Sequence, residues 1–176
     1  MQPEALPEVK SRPVYQPVEK SERSKLHLFV VAGEMPAEMS EIFSSCEESE
    51  CKLITVNDTS EAKQNIQNTL PSLPLSTTVY VAGSEAFIWF VYERLIAEGM
   101  MPEQVKLFTP PEKFRQVFCC HCYHVSDGIT QSPAVCGGCE RLLVVTDHFA
   151  RKKGAYLGYQ VNAEDPNDIP ESEELN

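Results

Sequence analysis

Apolar and polar positions divide the front of the chain into alternating short runs. Leu26-His27-Leu28-Phe29-Val30-Val31 is an apolar run that stops at Ala32-Gly33, as a buried strand does. A helical stretch follows, with Pro36 near its first turn and Met39, Ile42 and Phe43 at helical spacing. Lys52-Leu53-Ile54-Thr55-Val56 reads as a second strand. Asn57-Asp58-Thr59-Ser60 then offers N-caps for a helix from Glu61 to about Leu70. Thr77-Thr78-Val79-Tyr80-Val81-Ala82-Gly83 is a third strand running into Ser84-Glu85 and a long helix that ends at Gly99, and Val105-Lys106-Leu107-Phe108 is a short fourth strand. Strands separated by helices of this length imply parallel pairing through crossover connections, hence a small α/β sheet.

The helix beginning at Glu85 is nearly apolar all round. At about 100° per residue, Trp89, Tyr92, Ile88, Ile96, Val91 and Leu95 share one wide face, while Phe87 and Phe90 fall outside it. A sheet covers one face of a helix. The two outlying phenylalanines therefore predict burial against another domain or subunit.

Open parallel sheets bind ligands at the carboxyl ends of their strands, often with a phosphate at a helix N-terminus. Gly33-Glu34-Met35-Pro36 and Gly83-Ser84-Glu85-Ala86 qualify by position. The eight glycines lie at 33, 83, 99, 128, 137, 138, 154 and 158, so neither a GxGxxG motif nor a P-loop can be drawn through them. Glu34 and Glu85 also put negative charge where a pyrophosphate has to sit. Gly83, Ser84 and Glu85 are expected to form a vestigial nucleotide turn at most.

Charge separates the segments. The net charge of -11 over 176 residues resolves into +1 for residues 1–25, -9 for 26–105, +3 for 106–160 and -6 for 161–176. The first segment holds Pro3, Pro7, Pro13 and Pro17 with few large apolar residues, and the last is rich in Asp and Glu. Both are expected to be disordered tails, residues 1–25 and 164–176. Between them lie an α/β domain over 26–110 and a second module over 114–163. No run is long and apolar enough for a membrane span, and Met1-Gln2-Pro3-Glu4 has neither the basic nor the apolar region of a leader, so a cytoplasmic protein is expected.

In that reducing compartment the seven cysteines suit metal ligands or free thiols better than disulfides. Cys46 and Cys51 frame Glu47-Glu48-Ser49-Glu50 and are expected to be structural or incidental. Phe118-Cys119-Cys120-His121-Cys122 is followed, after thirteen residues, by Cys136-Gly137-Gly138-Cys139. Two CxxC pairs at this separation have the form of a zinc ribbon or a rubredoxin-type pair of knuckles, each two-residue spacer letting two thiolates face one ion. Cys119, Cys122, Cys136 and Cys139 are the expected ligands. Cys119 is preferred over Cys120 because it has the two-residue spacing to Cys122, and His121 is expected to point away from the ion. Gly137 and Gly138 suit a tight knuckle in which backbone N–H groups approach sulfur. Four thiolates leave no open coordination position, so the site is structural or electron-transferring rather than hydrolytic. Zinc and iron both suit this cage. The basic run Arg151-Lys152-Lys153 could suggest nucleic acid, but the acidic whole and the acidic C-terminal segment oppose phosphate attraction, which makes a nucleic-acid adaptor the weakest reading.

The Cys-x-His-Cys knuckle, the second CxxC, a strand at Leu142-Leu143-Val144-Val145, then His148-Phe149-Ala150-Arg151, Gly154-Ala155-Tyr156-Leu157-Gly158 and Val161-Asn162-Ala163-Glu164 together resemble the C-terminal domain of the DmmA-like subunit of dimethylamine monooxygenase, over roughly 117–164. Separately, Val79-Tyr80-Val81-Ala82-Gly83-Ser84-Glu85-Ala86-Phe87 with the helix to Gly99 is similar to the last βα unit of the pyridine-nucleotide domain of ferredoxin–NADP reductase-type flavoenzymes, with Ala82-Gly83-Ser84 where those carry Cys-Gly-Pro. The resemblance implies an accessory, metal-binding subunit of a multicomponent, NADPH-dependent monooxygenase that demethylates a secondary methylamine. In that picture NADPH, flavin, haem and iron–sulfur chemistry belong to reductase and haem-type partner subunits. The chain itself is then not catalytic alone. It docks partners through a reductase-like α/β domain with a zinc-ribbon or rubredoxin-like four-cysteine module attached, and holds Zn2+. The competing reading is a rubredoxin-like electron-transfer subunit of the same kind of complex, with iron in the four-cysteine site.

Overall fold

The computed structural model describes residues 11–161, 163–165, 167 and 169–175. The expected N-terminal tail therefore lies outside the described residues for positions 1–10, as do three positions of the C-terminal one. Described residues fall into two compact units: Tyr15–Glu112 with Arg151–Gly154, and Lys113–Ala150 with Ala155 to the C-terminal end and the residues up to Val14. The chain is an α/β protein with a parallel-stranded sheet and a cysteine cluster in its C-terminal region.

In the first of these units β1 (Leu26–Ala32), β2 (Cys51–Val56), β3 (Thr77–Ala82) and β4 (Val105–Leu107) form an all-parallel sheet in the order β2-β1-β3-β4. Between them run α1 (Ala37–Ser44), α2 (Thr59–Thr69) and α3 (Glu85–Ala97). β1 and β3 are central and buried almost throughout, whereas only Val56 of β2 is buried, as expected of an edge strand. Phe29 and Tyr80, paired across the β1–β3 ladder, stack at 4.8 Å between ring centroids. Met39 and Ile42 of α1 join them in one buried cluster.

Local chemistry sets the helix ends. The Asp58 carboxylate accepts the Glu61 N–H at 2.8 Å, one of the donors that the first turn of α2 leaves open, and the Glu61 carboxylate accepts the N–H of Asn57, the residue before the cap, at 2.9 Å. α3 starts with the Ser84 hydroxyl accepting the Phe87 N–H. It ends with Gly99 at φ 95°, where the Met100 N–H reaches back to the Leu95 carbonyl.

Phe87 departs from its helical-wheel position. It is buried within this same unit, because Gly83 has no side chain and the Phe87 ring occupies that space, within 2.7 Å of where a Cβ would stand. Burial of this phenylalanine therefore requires no further partner. Phe90 is half-buried and lines a cavity of about 310 Å³ with Arg94, Ala97 and Arg151 to Gly154.

Residues 15–25 lack regular secondary structure but make specific bonds. The Tyr15 hydroxyl donates to Glu85 Oε1 at 2.7 Å and accepts from Trp89 Nε1 at 3.0 Å, and the Ser21 N–H donates to the Tyr80 hydroxyl. His27, 1% exposed, shares that hydroxyl through Nδ1 at 3.2 Å.

The second unit is built on a five-stranded sheet in the order β6-β5-β10-β9-β8, from β5 (Arg115–Cys119), β6 (Val125–Ile129), β8 (Ala134–Val135), β9 (Leu142–Ala150) and β10 (Ala155–Gln160). β5 and β10 pair in parallel, and the other neighbours are antiparallel. Val117, Cys119, Tyr156, Leu143 and Val145 are all buried and supply its core. Arg115 is buried at the start of β5, donating to Asp147 at 3.0 Å and lying 4.3 Å from the Tyr156 ring centroid. Ser11 bridges to His148. β11 (Glu173–Glu174) pairs with β7 (Gln131–Ser132), and Leu175 beside it is buried, so this part of the acidic segment carries a backbone ladder. No helix among the described residues is long and apolar enough to cross a membrane.

Candidate metal centre

Two turns of the same design bring the cysteines together. In the first, the Tyr123 N–H donates to the Cys119 carbonyl and the Cys119 N–H donates to the His124 carbonyl, both at 2.9 Å. In the second, the Glu140 N–H donates to the Cys136 carbonyl at 3.0 Å and the Cys136 N–H to the Arg141 carbonyl at 2.9 Å. Each turn thus closes with the residue after its second cysteine in the left-handed region: Tyr123 at φ 64° and Glu140 at φ 60°. For a residue with a Cβ that conformation costs about 1–2 kcal/mol, offset here by the two hydrogen bonds that close each loop.

The sulfurs of Cys119, Cys122, Cys136 and Cys139 all lie within 4.8 Å of one another. Cys119 and Cys139 are 3.9 Å apart and Cys122 and Cys136 3.6 Å. A tetrahedron with metal–sulfur bonds of about 2.3 Å has edges of about 3.8 Å; the 3.9 and 3.6 Å edges match that length and no other sulfur pair is more than 4.8 Å apart, so the four thiols converge as a four-sulfur cage requires. The donor set fits a zinc or iron ion, which these four residues would hold. Cys119 and Cys136 are buried and the other two half-buried. Gly138 sits where a Cβ would stand 2.7 Å from the Cβ of His124 and 3.3 Å from Cys122 Sγ, and its N–H points at Cys136 Sγ at 3.4 Å. The Gly137 N–H goes instead to the Ser126 hydroxyl at 3.0 Å.

The thiols of Cys136 and Cys122 are pushed in opposite directions. Burial pushes Cys136 up, but N–H groups of Cys139 and Gly138 and the neighbouring thiols donate to its sulfur and bring it down to about 6. For Cys122 the His124 backbone acts downward, yet burial and the demands of Cys139, Cys136 and Cys119 prevail and push it up to about 12.

Cys120 stands apart from this cluster. Its N–H donates to the Gly158 carbonyl, and burial raises its thiol pKa while the Tyr159 hydroxyl pulls it back. His121 is exposed. Cys46 and Cys51 pack against the core of the α/β unit, where burial raises the Cys51 thiol, with Cys46 adding to it.

The second site read from the sequence is a crevice of about 390 Å³ at the carboxyl ends of β1 and β3, where the strand order changes direction. It is lined by Gly33, Glu34, Gly83, Ser84 and Glu112 among others, and among the described residues no basic side chain lines it. Ser84 is engaged as the α3 cap and Glu85 is held by Tyr15. The left-handed backbone at Tyr123 and Glu140 had no sequence signal, since such positions ordinarily attract glycine.

Residues 116–159 match the family model described as dimethylamine monooxygenase subunit DmmA-like, C-terminal domain. The chain is also 30% identical over 101 residues to the heme-dependent oxidative N-demethylase delta subunit of Ectopseudomonas mendocina (strain ymp). That similarity covers 57% of this chain and 58% of the relative, so the chain spans a little over half the length of the curated protein it matches. No solved structure matches it. Through the segment that carries both knuckles the chain therefore resembles the DmmA-like family, and it is similar to the delta subunit of an oxidative N-demethylase.

Proposed function

We propose that this chain is an accessory, metal-binding subunit of a multicomponent NADPH-dependent monooxygenase that resembles dimethylamine monooxygenase and acts on a secondary methylamine. Its main task is to assemble and dock the reductase and haem-type subunits. The observation that carries the reading is the four-sulfur cage, closed by two matching turns within the segment that matches the DmmA-like domain. A bound Zn2+ supplies no redox chemistry and leaves no open position, so it acts as a staple for a small unit, in the manner of a zinc ribbon.

The turn at Gly83, Ser84 and Glu85 supports the same assignment. Its side chains serve the protein's own helix cap and Tyr15, and the acidic crevice beside it repels a pyrophosphate. NADPH, flavin, haem and iron–sulfur groups accordingly belong to the partners, and the site of action is the cytoplasm. Elemental analysis with a visible spectrum on anaerobically purified protein tests this. One zinc per chain without colour is the expected result. One iron with thiolate charge-transfer bands overturns it in favour of a rubredoxin-like electron carrier, and a metal-free chain overturns the metal-binding role altogether.

A further inference from the structure

The ladder registers define a face of the five-stranded sheet opposite its buried side. Directly paired residues lie on the same face. Phe118 is paired with both Val125 and Leu157, Tyr159 with Val144, and Val135 with Leu142. Along β10 and β9 the two-residue period joins these pairs into one surface crossing all five strands. Every side chain in these pairs is apolar or aromatic, and all are half-buried or exposed: Val135 is 60% exposed and Tyr159 46%. Tyr123, 72% exposed, stacks against Phe118 at 5.9 Å and extends the surface to the rim of the first knuckle. Holding a tyrosine there at φ 64° costs more than a glycine would, and the ring it presents goes to solvent.

We propose that this face is the docking surface by which the knuckle unit receives a short apolar, uncharged segment of another subunit. Two arguments select that occupant. The paired residues and Tyr123 include no charged side chain, so a charged partner would lose hydration there without compensation. The extent of the face also excludes a second copy held by it alone: five strands at about 4.8 Å, with two paired apolar positions on β9 and on β10 and one on each of β5, β6 and β8, span at most roughly 20 by 10 Å, about 200 Å², whereas stable interfaces take about 800 Å² per partner. A surface of that size fits a segment of a few residues whose apolar side chains seat between Tyr123, Tyr159 and Val135.

The proposal rests on the assembly reading above. Its test uses the full-length, metal-replete chain and the purified remaining subunits of the oxidative N-demethylase-type complex, with affinity measured by calorimetry. The double variant Val135→Lys/Tyr159→Lys should weaken binding tenfold or more with metal content unchanged, while Leu75→Lys, at a site 98% exposed in the α/β unit, binds as the unsubstituted chain does. If the lysine pair disturbs folding, Val135→Thr/Tyr159→Ser replaces it, with a weakening of at least threefold expected. Equal affinity of unsubstituted and variant chains overturns the docking surface while leaving the assembly reading intact. An unsubstituted chain that binds none of the subunits overturns both. A concentration-dependent dimer that sediments for the unsubstituted chain and is lost in the variant overturns the choice of occupant.

Discussion

At the scale of single residues the knuckles are governed by how closely backbone approaches sulfur. Gly138 has no room for a side chain, with His124 and Cys122 within 3.3 Å of its missing Cβ. Gly138→Ala is therefore expected to lower metal affinity tenfold or more, as read by competition with a chromophoric chelator. Cys119→Ser should abolish stoichiometric binding and Cys120→Ser should preserve it, because the Cys120 sulfur is not among the four that converge. His27 sets a pH dependence of a different kind. Burial, then the nearby Lys20, lowers its pKa below the ordinary 6.5, so the folded protein holds the ring neutral while the unfolded chain protonates it. Unfolded molecules then bind more protons below about pH 6.5, and stability present above that value falls as the pH drops. Thermal unfolding between about pH 7 and 5 should show this decline, and His27→Asn, which keeps a hydrogen-bonding group for Tyr80, should flatten it. The role of His27 as a titrating group had no signal in the sequence, since an apolar strand containing one histidine does not reveal that the ring meets a buried hydroxyl.

Elements were more legible than their contacts. Asp58 lies in the Asn57 to Ser60 stretch recognisable as a cap region, because a short acceptor before an apolar-periodic run is a local signal, and it accepts the N–H three residues on, as Ser84 does at the start of α3. Ser84→Ala should cost about 1 kcal/mol of stability by denaturant titration, with Ser84→Asp retaining most of it. Gly83→Ala should cost more than the cap, because the new methyl meets the Phe87 ring and the Ala32 side chain. Phe87 shows why the helical wheel misled: it ranks residues around an axis but cannot see that a glycine one turn earlier opens a space on the sheet side. Residues 15–25 likewise read as tail from proline content and scarce large apolar residues. Their order in the structure comes from individual bonds, Tyr15 to Glu85 and Ser21 to Tyr80, which composition does not encode.

For the molecule as a whole, the two units rest on different sources of stability. The α/β unit buries both faces of β1 and β3 among aliphatic and aromatic side chains. The knuckle unit has a smaller core and, on the proposed function, a metal that contributes to folding. A strong chelator should therefore lower the unfolding temperature of residues 113–150 and 155–161 selectively, leaving amide protection in β1 and β3 unchanged by hydrogen exchange.

Sequence alone determined what depends on neighbours along the chain. That includes the strand and helix alternation, the cap region at Asn57 to Ser60, the helix stop at Gly99, and the CxxC spacing on which Cys119 is preferred to Cys120. These follow from short-range geometry that a spacing of two, three or four residues already expresses. Only the tertiary structure decided what depends on residues far apart. It set β10 between β5 and β9, and it brought the four sulfurs within 4.8 Å of one another. It also used Gly83 to bury Phe87 and assembled an uncharged set of side chains from one or two residues of each of five strands. Pairing register is a long-range choice: a slip of one residue moves every side chain to the opposite face, and no local pattern in strands as short as Ala134–Val135 specifies it.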